Sequence, residues 1–156
     1  MSQLTLVREI RARPSTVFDL LSSAEGLTSW WGPDDLPVIF AQAQVRVGGA
    51  YRVRFSRTDG GVHECAGEFL EIEPPSRMVM SWRWTLGGVP QEAGRTSRVE
   101  FHLRAIDTGT ELTLVHAELC DAASASSHTE GWAGALEKLC QGLSRSHSAE
   151  TRGRAA

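Results

Sequence analysis

With 156 residues, of which 41% are hydrophobic and 22% charged, the chain has an ordinary globular balance and enough length for one domain with a real core. A net charge of −3 and a pI near 5.9 argue against a nucleic-acid binder driven by phosphate contacts. The opening stretch MSQLTLVREIRARP carries charges at Arg8, Glu9 and Arg11 and has no long apolar run, so it reads as neither signal peptide nor membrane span. Three cysteines, Cys65, Cys120 and Cys140, are an odd count without paired spacing and read as free thiols in a reducing compartment. The expectation is a soluble cytoplasmic protein without a membrane partner.

Leu4 to Ile10 alternates as a first strand, with Leu4, Leu6 and Arg8 on one face. Pro14 sits where a helix tolerates a missing donor, and Val17, Phe18, Leu20 and Leu21 supply a short helix's buried side. Ser23 is placed to cap a second short helix from Ala24 to Trp31, which Gly32 and Pro33 stop. A strand from Val38 to Val47 ends at Gly48-Gly49. Tyr51, Val53 and Phe55 then alternate with Arg52, Arg54 and Ser56. Asp59-Gly60-Gly61 is a hairpin turn, Val62 to Glu73 a further strand, and Pro74-Pro75 a forced connection.

Arg77 to Leu86 puts Met78, Met80, Trp82 and Trp84 on one face, and residues 87–94 form a flexible loop. Arg98 to Ile106 and Thr110 to Leu119 complete the strands, the second carrying Leu112, Leu114, His116 and Glu118 together. Asp121 to Ser126 reads as a small-residue loop. The last regular stretch, Ser127 to Leu143, places Trp132, Leu136, Leu139, Cys140 and Leu143 on one helical face, with capping-box spacing at Ser127 and Glu130 and with Glu137, Lys138 and Gln141 toward water. The domain is expected over 1–143, with 144–156 a disordered tail. An α+β architecture follows: a curved antiparallel meander of six to seven strands around a long C-terminal helix, with two short helices after the first strand.

Five stretches, LTSWWGP, RVGGAYRVRF, GEFLEIEPPSRMVMSWRW, TELTLVHAEL and EGWAGALEKL, resemble in order the bacterial single-domain relatives of the activator of the heat-shock protein 90 ATPase, the AHSA1-like family. That family belongs to the START-like, or SRPBCC, superfamily with the helix-grip fold of the birch pollen allergen (Bet v 1-like). The resemblance covers roughly Leu4 to Leu143. It implies a cavity between the long helix and the curved sheet that holds lipids, hormones, polyketides or other apolar ligands. Some relatives catalyse cyclisation there, and a few sequester an antibiotic toxin. It also leaves open a stress-linked or chaperone partner, or a second copy of the chain.

Within such a cavity Trp82, Trp84, Met78, Met80 and Leu114 would share the sheet face, Trp132 and Leu136 would close the helix side, and Trp30, Trp31 and Tyr51 would stand at the entrance or end. An aromatic and methionine-rich lining with few polar groups suits a flat apolar molecule. His116 is the candidate polar anchor or general base, set against a core histidine bonded to a backbone carbonyl or to Glu118. Glu64 and Glu68 share a strand face and are expected to point to water. His63 and Cys65 at i, i+2 make no metal site without further ligands. Cys120 and Cys140 read as small buried hydrophobes, and Arg52, Arg54, Arg83 and Arg104 as outer-face charges. No nucleophile elbow, phosphate-cradling glycine motif or catalytic triad is assigned, and no metal or organic cofactor is expected. The reading is a binding module for a small apolar or aromatic ligand. An interaction protein and an enzyme of polyketide cyclase type are the alternatives.

Overall fold

Alternating apolar residues and glycine-bearing turns build one antiparallel sheet. In the computed structural model residues 1–155 are described, with side chains through residue 144, so the tail of 144–156, expected to be disordered, lies almost wholly outside the residues described in full. Strand β1 (Ser2–Ile10) is followed by α1 (Pro14–Leu21) and α2 (Ala24–Trp30). Strands β2 (Val38–Ala43), β3 (Ala50–Ser56), β4 (Val62–Glu73), β5 (Arg77–Leu86), β6 (Ser97–Ile106) and β7 (Gly109–Leu119) come next, and α3 (Ala122–Ala155) closes the chain. The sheet order is β1-β7-β6-β5-β4-β3-β2, a meander whose last strand returns beside the first. With α3 packed along the sheet this is the helix-grip arrangement of the α+β class.

Register decides which side chains meet. Met78 pairs with Phe101 and Phe101 with Leu114; Met80 pairs with Val99 and Val99 with His116. These rows lie on the inner face, where Met78, Met80, Val99, Phe101 and Leu114 are fully buried. Each buried large side chain contributes about 1.5–3 kcal/mol of transfer free energy as an upper estimate. The opposing face of α3 supplies Trp132, Ala135, Leu136, Leu139 and Leu143.

Several local expectations hold. Ser23 Oγ accepts from the Gly26 amide at 2.9 Å and caps α2. Pro14 opens α1, and Tyr51, Val53 and Phe55 are the buried side of β3. Others are corrected. Strand β2 stops at Ala43, because the Phe69 carbonyl and amide take Gly48 N–H and Gly49 C=O and hold the following turn against β4.

Helix α3 begins at Ala122, not Ser127: Asp121 Oδ1 accepts from the Ser124 amide at 2.8 Å, so the small residues expected to form a loop are the first helical turn. Ser127 and Glu130 therefore sit inside a helix already under way and form no cap. Lys138 faces the domain rather than water: its Nζ donates to the carbonyls of Trp31 and Asp34 at 2.9 and 2.8 Å. At Gly134 the same segment comes so close that a Cβ would stand 2.1 Å from the Pro33 carbonyl oxygen. Glu118 leaves the His116 face, since its φ of 64° breaks the alternation and buries Leu119 instead.

Candidate functional site

Where β5, α2 and α3 converge, four indoles meet. Trp31 stacks on Trp82 with centroids 5.5 Å apart and 21° between planes. Trp132 stands 5.2 Å from Trp82 and 5.6 Å from Trp31, and Trp84 meets Trp82 edge-on at 5.3 Å. They border a cavity of about 60 Å³, further lined by Phe55, His63, His128 and Ala135. Its rim carries the less buried Pro33, Arg57, Gly88 and Val89. Arg57 lies 3.7 Å from Asp34, whose carboxylate also accepts the Thr58 amide at 2.8 Å, so the segment after α2 is tied to the tip of the β3–β4 hairpin. The Thr58 amide, then the Arg57 charge, hold the Asp34 carboxyl below its ordinary range.

Behind the indoles lie two buried histidines, with ring centroids 4.7 Å apart. Trp132 Nε1–H donates to His116 Nδ1 at 3.0 Å, and an indole nitrogen can only donate. His116 therefore carries its proton on Nε2 and donates it to Ser97 Oγ at 2.8 Å. By the same logic Trp84 Nε1–H donates to His128 Nε2 at 3.1 Å, and His128 Nδ1–H donates to the Ser124 carbonyl at 2.8 Å. Glu92, from the β5–β6 connection, accepts from Ser124 Oγ–H and from the Cys120 amide at 2.8 Å. Its carboxylate thus sits at the N-terminus of α3, where the helix dipole favours negative charge.

Burial, reinforced by the neighbouring His128, pushes the His116 imidazole well below its ordinary pKa. Burial also lowers His128, opposed by the Ser124 carbonyl and the Glu92 charge. Both rings are neutral at physiological pH. Every nitrogen of the pair is engaged, whereas Trp82 Nε1–H is buried with no partner.

The residues singled out in the sequence divide by position. Trp31, Trp82, Trp84 and Trp132 line the cavity. Met78, Met80, Leu114 and Leu136 are packed beneath it in the core. Trp30 is buried with its Nε1–H on the Leu20 carbonyl at 2.9 Å, and Tyr51 donates to the Ser81 carbonyl at 2.7 Å. His116 stands behind Trp82 and Trp132 rather than in the cavity wall; its partners are Ser97 and Trp132, not a backbone carbonyl or Glu118.

Glu68 is exposed, but Glu64 is covered: it meets Arg54 at 2.9 Å, Arg52 at 3.6 Å and the Thr85 hydroxyl at 2.7 Å. Burial raises its carboxyl, and the Thr85 and Arg54 contacts more than offset that, so the net shift is downward. Cys65 is fully buried, which drives its thiol far up, and Cys140 is half-buried. Arg83 is exposed and Arg104 pairs with Glu111 at 3.0 Å. Among the described residues no three His, Cys, Asp or Glu side chains are grouped to hold a metal ion.

His128, Ser124, Ser97 and Glu92 were not singled out in the sequence. Ser124 and His128 precede Trp132 at steps of four, so the helical stripe already pointed to them once the helix is started at Asp121. Glu92 and Ser97 carry no local signal.

Comparison with known proteins places this architecture. The structure superposes on the AHSA1 protein of Silicibacter pomeroyi with a TM-score of 0.80 and 29% identity, over 94% of this chain and all of that one. A Chromobacterium violaceum protein gives 0.76 at 23% identity over 92% of this chain and 98% of that one. A Nitrosomonas europaea protein gives 0.75 at 20% identity over 94% and 96%. A search of curated proteins finds no match. The family model described as activator of Hsp90 ATPase homolog 1-like protein matches residues 11–144, across the helices, the meander and α3. The chain belongs to the activator of Hsp90 ATPase homolog 1-like (AHSA1) family.

Proposed function

We propose that this protein is a binding module that encloses a small, flat, apolar molecule between α3 and the curved sheet. The observation that carries the reading is the space of about 60 Å³ walled by Trp31, Trp82, Trp84 and Trp132. Aromatic walls with few convergent polar groups are the usual composition of small-molecule sites. The fold is one in which such ligands are commonly held. All three cysteines are free, which supports a reducing cytoplasmic setting, and among the described residues no helix is long and apolar enough to cross a membrane.

The test is a titration of intrinsic tryptophan fluorescence with bicyclic aromatic probes, beside native mass spectrometry of protein purified from its own host. Saturable quenching with unit stoichiometry is expected. Ala135→Leu, which fills the cavity from α3, should remove it. Quenching that persists unchanged in a folded Ala135→Leu variant, or no saturable binding by any bicyclic probe, would overturn the reading.

A further inference from the structure

The cavity is too small for an aromatic guest as it stands. It measures about 60 Å³, whereas an apolar cavity that takes up benzene measures on the order of 150 Å³. A flat ring enters only by displacing a side chain. Trp31, Trp82 and Trp132 are at most 5% exposed. Trp84 alone of the four is only partly buried, near the end of β5 and beside the Gly87-Gly88 turn. The turn backbone lies directly on its ring: a Cβ on Gly88 would stand 2.2 Å from Trp84 Cδ2, and Gly88 has φ of 85°. The indole of Trp84 is thus a flat apolar body with one donor, anchored by one hydrogen bond to His128 Nε2.

We infer that Trp84 stands in the ligand's place, and that the ligand it yields to is a neutral, flat aromatic molecule bearing a hydroxyl group. This rests on the binding-module reading above. When Trp84 leaves, His128 Nε2 is exposed as an acceptor. Its tautomer is fixed because Nδ1–H is committed to the Ser124 carbonyl. Trp82, 6.3 Å away between ring centroids, brings a buried N–H without a partner. A hydroxyl seated between the two rings would satisfy both groups, donating to His128 and accepting from Trp82. A ring N–H would serve only His128, and a carbonyl only Trp82. A carboxylate offers no donor to His128 Nε2 and would set its charge among the indoles. Leaving a buried donor or acceptor unpaired is costly, so the pair selects for the hydroxyl.

The test compares 2-naphthol with naphthalene, which share a shape and differ by the hydroxyl, on Trp84→Ala and Trp84→Leu and on the unaltered protein. The opened variants should bind 2-naphthol at least tenfold tighter than naphthalene, and adding His128→Phe should lower that preference to what the Trp82 N–H alone supplies. In the unaltered protein 2-naphthol should shift the Trp84 indole N–H resonance as the bond to His128 is given up. Equal affinity for the two probes in the opened variants would overturn the hydroxyl and leave the cavity reading standing. Binding of neither probe by a folded Trp84→Ala or Trp84→Leu variant would overturn both. A bound 2-naphthol that leaves the Trp84 resonance in place would overturn the displacement.

Discussion

Trp132 on α3 and His116 on β7 are joined by one hydrogen bond, indole Nε1 to imidazole Nδ1, 3.0 Å long and wholly buried. It fixes the histidine's tautomer, and through His116 Nε2 it reaches Ser97 on β6. The long helix is therefore held to the sheet by a directed polar contact as well as by packing.

Removing the donor while keeping the ring tests that contact. Trp132→Phe leaves His116 Nδ1 buried without a partner, at a cost of about 1–3 kcal/mol. Urea denaturation of the variant should show that loss. His116→Phe combined with Trp132→Phe should cost less than the sum of the single changes, since both partners are then apolar. Strict additivity would show that the bond contributes nothing.

Stability should fall as pH drops from about 7.5 to 5.5. Burial lowers the folded-state pKa of both His116 and His128. Below the ordinary histidine value near 6.5 the unfolded chain takes up protons that the folded one refuses, so acid favours unfolding. Each histidine contributes up to about 1.4 kcal/mol per pH unit in that window. The carboxylates with lowered values, Asp34, Glu64 and Glu100, lose their stabilisation only further down, as pH falls through the ordinary carboxylate range toward their depressed values. A denaturation free energy that stays flat between pH 7.5 and 5.5 would contradict the buried neutral pair.

Glu92 should behave as part of α3 although it lies some thirty residues away in sequence. Its carboxylate accepts from the Cys120 amide and the Ser124 hydroxyl. Glu92→Ala is expected to cost about 1–3 kcal/mol and to speed amide exchange at Cys120 and through the first turn of the helix. Unchanged exchange at those amides would show that Asp121 alone caps α3.

Lys138→Met keeps the aliphatic stem and deletes the donors to Trp31 and Asp34. The segment after α2 should loosen at the cavity rim, with faster exchange around residues 32–35 and a loss of about 1–3 kcal/mol. If exchange there does not change, the packing of Gly134 against Pro33 is sufficient to hold the segment.

Gly88→Ala should disturb Trp84 selectively. The added Cβ meets the indole at 2.2 Å, in a backbone conformation that costs a non-glycine residue about 1–2 kcal/mol. A red-shifted tryptophan emission with far-ultraviolet circular dichroism unchanged is expected. An unshifted spectrum would mean that the turn, not the ring, gives way.

Local periodicity carries the elements that can be read along the chain. Tyr51, Val53 and Phe55 alternate as a strand because side chains on a pleated chain repeat every two residues. Trp132, Leu136, Leu139 and Leu143 recur as a helical stripe. Ser23 was legible as a cap because a cap acts within three residues. With these came an α+β meander of six to seven strands closed by a C-terminal helix, and the five stretches that resemble the AHSA1-like family implied the helix-grip arrangement. The tertiary structure alone decided how polar groups pair. His116 meets Ser97 only because the β5–β6 and β6–β7 registers set Trp82 beside Ser97 and Val99 beside His116. Glu92 reaches Ser124 only because a glycine-rich loop folds back over the start of α3. Hydrophobic patterning repeats along the chain and is visible locally. A directed hydrogen bond between residues far apart in sequence depends on register and loop path, which no short stretch records.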